Sequence, residues 1–318
     1  MSNLTRFWLI IAIILILIGC LIFGGVMSVL KWDFNKLSTS KFETNVYTFN
    51  EALENISVIS NTANIEFVSS ENIEVECYEL HNLKHSVSVI DDTLVIEVKD
   101  TRKWYEYIMS FGSPKITVYL PCGEYSDLKI NVSTGNVEIS KDFSFETVDI
   151  VASTGYVNNF ASASEGLRIK TSTGDIRVEN ITANSLDLSV STGKVVVNSV
   201  DCEGDIKIHV STGKAEASDV KCKSFASEGS TGSITLKKVI ASEKFSVKRS
   251  TGDIKLEKCD AAEIIIKTDT GSVNGTLLSE KIFIAKSDTG KVDVPSSMNG
   301  GRCEISTDTG NIKILIEN

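Results

Sequence analysis

The chain is short of the residues from which active sites are usually built. Histidine occurs three times, at His81, His85 and His209. His81 and His85 have the spacing of some zinc pairs, but no second pair and no carboxylate motif accompanies them, so all three read as surface histidines. No glycine-rich phosphate loop, nucleophile elbow or Cys/His zinc arrangement occurs. Basic residues are outnumbered, 32 Lys and Arg against 42 Asp and Glu. The resulting charge of -10 argues against a nucleic-acid role, for which a basic patch is expected. Seven cysteines make no disulfide framework. Proline occurs only three times and 42% of the residues are apolar, which leaves room for a large core in one elongated domain.

What the chain has is a repeat. Ser-Thr-Gly or Asp-Thr-Gly recurs ten times, with glycines at Gly135, Gly155, Gly174, Gly193, Gly213, Gly232, Gly252, Gly271, Gly290 and Gly310, always 19 or 20 residues apart. A fixed period of this length is the mark of a stacked solenoid. In Leu186-Asp-Leu188-Ser-Val190-Ser-Thr-Gly193-Lys-Val195-Val-Val197, apolar residues alternate on both sides of the turn, which reads as strand, turn, strand. A further apolar position lies seven residues past the glycine, at Ile181, Val200, Val220, Val239, Cys259 and Leu278, and implies a short third side. The expected fold is therefore all-β: a single-stranded, right-handed parallel β-helix of 19-20 residue coils, the hand following the usual chirality of parallel crossovers. No coil buries its own apolar face, so stability comes from its neighbours. Glycine tolerates positive φ, and Ser, Thr and Asp side chains bond locally to the backbone, which suits a stacked corner. Ten coils at the inter-strand spacing make a rod roughly 45 to 50 Å long.

Ahead of the repeats stands one long apolar run, Phe7 to Leu30, with no charge in it. It is long enough to cross a bilayer as a helix. The boundaries expected are 1-6 as a short cytoplasmic head, 7-30 as a transmembrane helix, 31-40 as a linker, 41-123 as an irregular N-terminal β region capping the solenoid, and 124-318 as the regular β-helix. The N-terminus is placed inside and the β domain outside. Two other readings stay open: Leu17-Ile18-Gly19-Cys20 resembles a lipobox whose Cys20 would be lipidated, and the run also fits a cleaved secretory signal.

Within 41-123, Asn55-Ile-Ser-Val-Ile-Ser-Asn-Thr-Ala63-Asn-Ile65-Glu-Phe67 looks like a decayed repeat with Ala63 in the glycine's place. The aromatic stretch from Thr101 to Pro114 reads as a loop folded over the open end of the solenoid, or alternatively as a contact surface for membrane or a partner. At the other end the chain stops soon after Gly310, with Ile312-Lys-Ile314-Leu-Ile316 as its last strand. That last coil is expected to expose an edge and to give weak self-association.

The remaining candidates are structural. Cys303 falls in the inward strand phase, Cys259 on the third side, and Cys202 and Cys222 stack in one small slot close enough for a bridge. Asp269, Asp288 and Asp308 head Asp-Thr-Gly triplets like those of aspartic proteases, but they stand in the turn phase that reads Ser-Thr-Gly elsewhere. They would be stacked neighbours, offset by Lys267, Lys286 and Lys291; a divalent cation along that edge is the alternative. No catalytic, cofactor-binding or metal residue is expected.

The Ser-Thr-Gly-x-[VI] turns, the strand Ile116-Thr-Val-Tyr-Leu-Pro121 that ends in proline before the first full repeat, and the anchor ending in Gly24-Gly25 together resemble the bacterial family labelled "putative adhesin". The resemblance covers nearly the whole chain. It implies a β-helix domain of unknown function on a single-pass or otherwise surface-exposed envelope protein, frequent in Gram-positive bacteria and sometimes encoded with envelope-stress systems. It brings no catalytic residues, and fold alone does not give function. The reading it joins is a membrane-tethered, non-enzymatic interaction module presenting a β face to cell-wall polymer, an envelope protein or another copy. The alternatives are a self-polymerising structural β-helix and an enzyme acting on extracellular polysaccharide.

Overall fold

The computed structural model describes residues 3–33, 41–100 and 112–317. Helix α1 (Asn3–Val29) opens the chain. Within its span Leu4–Val29 the most apolar 18 residues have a mean hydropathy of 3.2, and none of them is buried against protein. At 1.5 Å per residue its 27 residues reach about 40 Å, more than the ~30 Å hydrocarbon core of a bilayer.

Strands follow: β1 (Phe42–Phe49), β2 (Asn55–Thr62), β3 (Asn64–Ser69), β4 (Ile73–Leu80), β5 (Leu83–Ile90), β6 (Thr93–Asp100) and β7 (Lys115–Leu120). Then come β8 (Gly123–Thr134), β9 (Val137–Ile139), β10 (Phe143–Thr154), β11 (Val157–Asn159), β12 (Ser162–Thr173), β13 (Ile176–Ala183), β14 (Leu186–Cys202), β15 (Asp205–Thr231) and β16 (Ile234–Thr251). The last are β17 (Ile254–Thr270), β18 (Val273–Leu277), β19 (Lys281–Thr289), β20 (Val292–Asp293), β21 (Gly301–Thr309) and β22 (Ile312–Ile316). From β8 to β18 each coil lies parallel to the next. Leu186 aligns with Ile206, Leu188 with Ile208 and Val190 with Val210, then Ala215 with Ile234 and Ala217 with Leu236. The alternating residues expected inside are inside, with Leu188, Val190, Val195 and Val197 all wholly buried. The core is one continuous column of such side chains. The protein is a β-solenoid.

The corners explain the glycines. All ten have positive φ, 150° at Gly193, and a Cβ there would lie 1.9 Å from the carbonyl oxygen of Gly174 in the coil beneath. Any side chain would therefore be both strained and blocked by backbone. The corner amides bond along the axis: Gly135 donates to Thr154 O at 2.9 Å and Gly174 to Thr192 O at 3.0 Å. Where the next residue is Asn or Asp, its side chain caps the following coil, as Asp175 Oδ1 does for the Lys194 amide at 2.8 Å and Asp253 Oδ1 for Ser272 at 2.8 Å.

At both ends the stack departs from chain order. The decayed repeat, β2 and β3, does belong to the rod, but it lies between the β6–β7 coil and the β8–β9 coil. Ala63 is the first of the described corners in the stack and lacks the positive φ of the glycines, which is why a side chain is tolerated there. Beyond β6 and β7 the direction reverses. β5 runs antiparallel to β6, β4 antiparallel to β7, and β1 antiparallel to β4. The reversed strands seal this end.

At the other end the expectation for the last strand is corrected. β21 and β22 do not end the stack; they are inserted between the β17–β18 coil and the β19–β20 coil. The exposed edge is therefore β19 and β20, whose Ile282, Ile284 and Val292 are 45%, 51% and 42% exposed. A second correction concerns Leu278. The register shifts between Leu256 and Cys259, so that Leu277, not Leu278, aligns with Cys259. Leu277 is buried and Leu278 exposed.

Candidate functional site

Six residues past five consecutive corner glycines the chain makes a second bend. Asn180, Ser199, Asp219, Lys238 and Lys258 all have φ between 48° and 55°, a left-handed conformation that costs roughly 1–2 kcal/mol for a residue with a Cβ. Each is followed by an inward apolar residue, with Ile181, Val200 and Val220 buried beneath the surface. Then comes an outward one: Thr182, Asp201, Lys221 and Ile240. Stacking these bends leaves a groove of about 630 Å³ along the third side, from Ser162 to Leu278. Its floor is apolar, and its two lips carry charges of both signs.

The lip formed by the bends is tied coil to coil. Lys238 Nζ pairs with Asp219 Oδ1 at 3.0 Å and Lys258 Nζ with Glu317 at 2.8 Å. The hydrogen bond to Glu317 holds the Lys258 ammonium above its ordinary range and the Glu317 carboxyl below its own. The pair fixes the Lys258 ammonium against the coil that carries Glu317. The sequence signal for it was weak. The left-handed position carries Asn, Ser, Asp and Lys rather than glycine, and of these only Asn and Asp have a known tolerance for that conformation.

A second constellation lies in the reversed N-terminal cap. Ser60 Oγ is 2.9 Å from His85 Nε2, and His85 Nδ1 is 2.7 Å from Glu79 Oε2. Glu79 Oε2 also accepts from the His85 amide at 2.7 Å, and its Oε1 accepts from Asn45 Nδ2 at 2.7 Å. His85 is 3% exposed, which corrects its reading as a surface residue; β5 turns it inward over the end of the rod. The order hydroxyl, imidazole, carboxylate is that of a hydrolytic triad. Yet Ser60 is 3% and Glu79 1% exposed, and neither lines the groove of the third side. Cys77, Glu79 and His85 could also offer a metal three ligand atoms within 4.8 Å of one another. Burial, with Glu79 and Glu76 beside it, pushes the Cys77 thiol up to about 12, however, and the carboxylate already has three donors. The cluster reads as a buried tie between β2, β4, β5 and β1.

The other expected residues are placed as follows. Asp269, Asp308 and Asp288 do share an edge, but in that stacking order, since β21 lies between β17 and β19; Lys286 pairs with Asp288 at 2.7 Å. Cys202, Cys222, Cys259 and Cys303 are buried free thiols. His209 is exposed beside Ser211, and exposed His81 pairs with Glu43. Most of the aromatic stretch 101–114 lies outside the described residues.

A family profile described as Toastrack DUF4097 matches residues 53–211 and again 203–318. No curated protein matches significantly. Among solved structures, the chain is similar to a "putative adhesin" from Parabacteroides distasonis, at 11% identity over 87% of this chain and 98% of that one, TM-score 0.46. A second, from Bacteroides fragilis, is 15% identical over 87% and 99%, TM-score 0.39. A "putative lipid binding protein" from Parabacteroides distasonis is 12% identical over 87% and 98%, TM-score 0.35.

Proposed function

Because this chain belongs to the Toastrack DUF4097 family, we propose that it is a membrane-tethered, non-enzymatic interaction module which holds an extended envelope glycan along its third side. The groove over five coils carries this reading. Four steps between the Asn180 and Lys258 bends at the inter-strand spacing span about 19 Å, and the channel follows the rod axis. A straight site of that length suits a linear polymer lying along the coils. Ile240 and Leu278 supply apolar contact to the sugars, while Thr182, Asp201 and Lys221 on the lip supply hydrogen bonds. In this arrangement α1 is the anchor, with the N-terminal side in the cytoplasm and the solenoid outside; most of the expected linker 31-40 lies outside the described residues.

The test uses the full chain in detergent, co-sedimented with purified cell-wall polymer. Thr182→Trp and Asp201→Trp place bulk on the outer lip, where no core contact is disturbed. The double variant is expected to bind about tenfold or more weakly, a difference of ~1.4 kcal/mol or more. Binding equal to that of the unaltered protein would remove the groove from the account.

A further inference from the structure

Arg249 stands three residues before Gly252, the inward position that Val132, Ala152, Val190 and Val210 fill in other coils. It is 3% exposed. The guanidinium passes the adjoining coil and donates from Nη1 to the carbonyl of Val210 at 2.7 Å. Its register partner is Gly229, where a Cβ would lie 1.7 Å from Nη1, so the missing side chain at 229 is what admits the arginine. Nε and Nη2 have no partner, and neither does Ser227 Oγ, on the same face two residues before Gly229.

The other described arginines of the solenoid, and its buried lysine, are treated differently. Arg168, Arg177 and Arg302 pair at the surface with Asp149, Glu179 and Glu304. Lys281, 3% exposed, has Asp260 at 2.6 Å. Among the described residues no carboxylate pairs with Arg249. Burial lowers its pKa, but a guanidinium remains charged at neutral pH. Buried charges in proteins are paired, and unsatisfied buried donors mark a water or ion.

We infer that the core at this coil holds one small monovalent anion, chloride in the cell, bound by Arg249 Nε and Nη2 and by the hydroxyl of Ser227. A single negative charge balances a single guanidinium. A divalent oxyanion would bring a surplus charge and a shell of oxygens into a core where Val210, Ser227 and Val247 are 0% exposed. The anion closes the donor set on Arg249 and ties β15 to β16 from within.

Two measurements on the full chain test this. Crystals grown with bromide in place of chloride are expected to give an anomalous peak within hydrogen-bond distance of Nε and Nη2; an ordered water without anomalous signal there would overturn the assignment. In solution, replacing chloride with bulky gluconate at equal ionic strength is expected to lower the melting temperature by about 2–4 °C. Arg249→Met is expected to fold, since exchanging a buried charged group for an apolar one of similar volume is often neutral or stabilising, and to lose the halide dependence. A melting temperature indifferent to halide in the unaltered protein, or an unchanged halide dependence in Arg249→Met, would equally sink the proposal.

Discussion

The amide of Asn311 donates to Ser272 Oγ at 3.2 Å, across 39 residues of chain. The coil that comes between them in sequence, around Gly290, lies instead on the far side of Asn311, where Asn311 Oδ1 accepts from the Lys291 amide at 2.9 Å. The C-terminal coil is thus wedged into the stack, and removing it would leave two coils without the partner each was folded against.

Ile312 should therefore be far more sensitive than its neighbour at the true edge. Ile312→Pro removes the amide bonded to Lys291 O at 2.8 Å and a fully buried side chain, and is expected to cost about 3–6 kcal/mol. Val292→Pro, on β20 with 42% exposure, should cost about 1 kcal/mol. Urea unfolding of the two variants compares them directly, and equal losses would contradict the coil order.

The corners make a similar contrast. Gly193→Ala forces a Cβ into the Gly174 carbonyl at a φ of 150°, and more than about 4 kcal/mol should be lost. Ala63→Gly, at a corner without positive φ, should cost the backbone entropy of glycine and one buried methyl, about 1–2 kcal/mol together. Denaturant midpoints of these single variants are the measurement.

Acid should loosen the N-terminal cap in a defined window. Hydrogen bonds from Lys84 first, then from His81 and Asn45, hold the Glu43 carboxyl at about 2, below its ordinary 4.5. A depressed native pKa means stability that is present above 4.5 and lost as pH falls toward 2. The gap in unfolding midpoint between the unaltered chain and Glu43→Gln should be widest above pH 4.5 and close near pH 2. A gap independent of pH would refute the pairing.

Cys122 provides a reporter of orientation. Only Cys20 and Cys122 are exposed, and the other five cysteines are buried; Cys20 belongs to α1. A membrane-impermeant maleimide added to intact cells is expected to label the chain, and Cys122→Ser to abolish the labelling. Labelling that required cell lysis would place the solenoid on the inner side.

His85 illustrates what the sequence reading could not reach. A surface position is the default for a histidine, although His85 shares the apolar phase of β5 with Leu83, Val87 and Val89; the reversal of β4 and β5 over the first coils brings it to Ser60 and Glu79. The groove was hidden for a different reason. A left-handed bend made by Lys238 or Lys258 has no residue signature, whereas the same φ at a glycine corner has one.

The period, the alternation about each turn and the run in α1 are local properties of the chain, and these alone determined that the protein is a solenoid behind an apolar helix. The order of its end coils, the groove and the burial of His85 and Arg249 were decided only by tertiary structure. Each open edge of such a stack offers nearly the same ladder of amides and carbonyls, so chain neighbours are not obliged to be stack neighbours. Which edge a coil joins depends on side-chain packing between residues far apart in sequence.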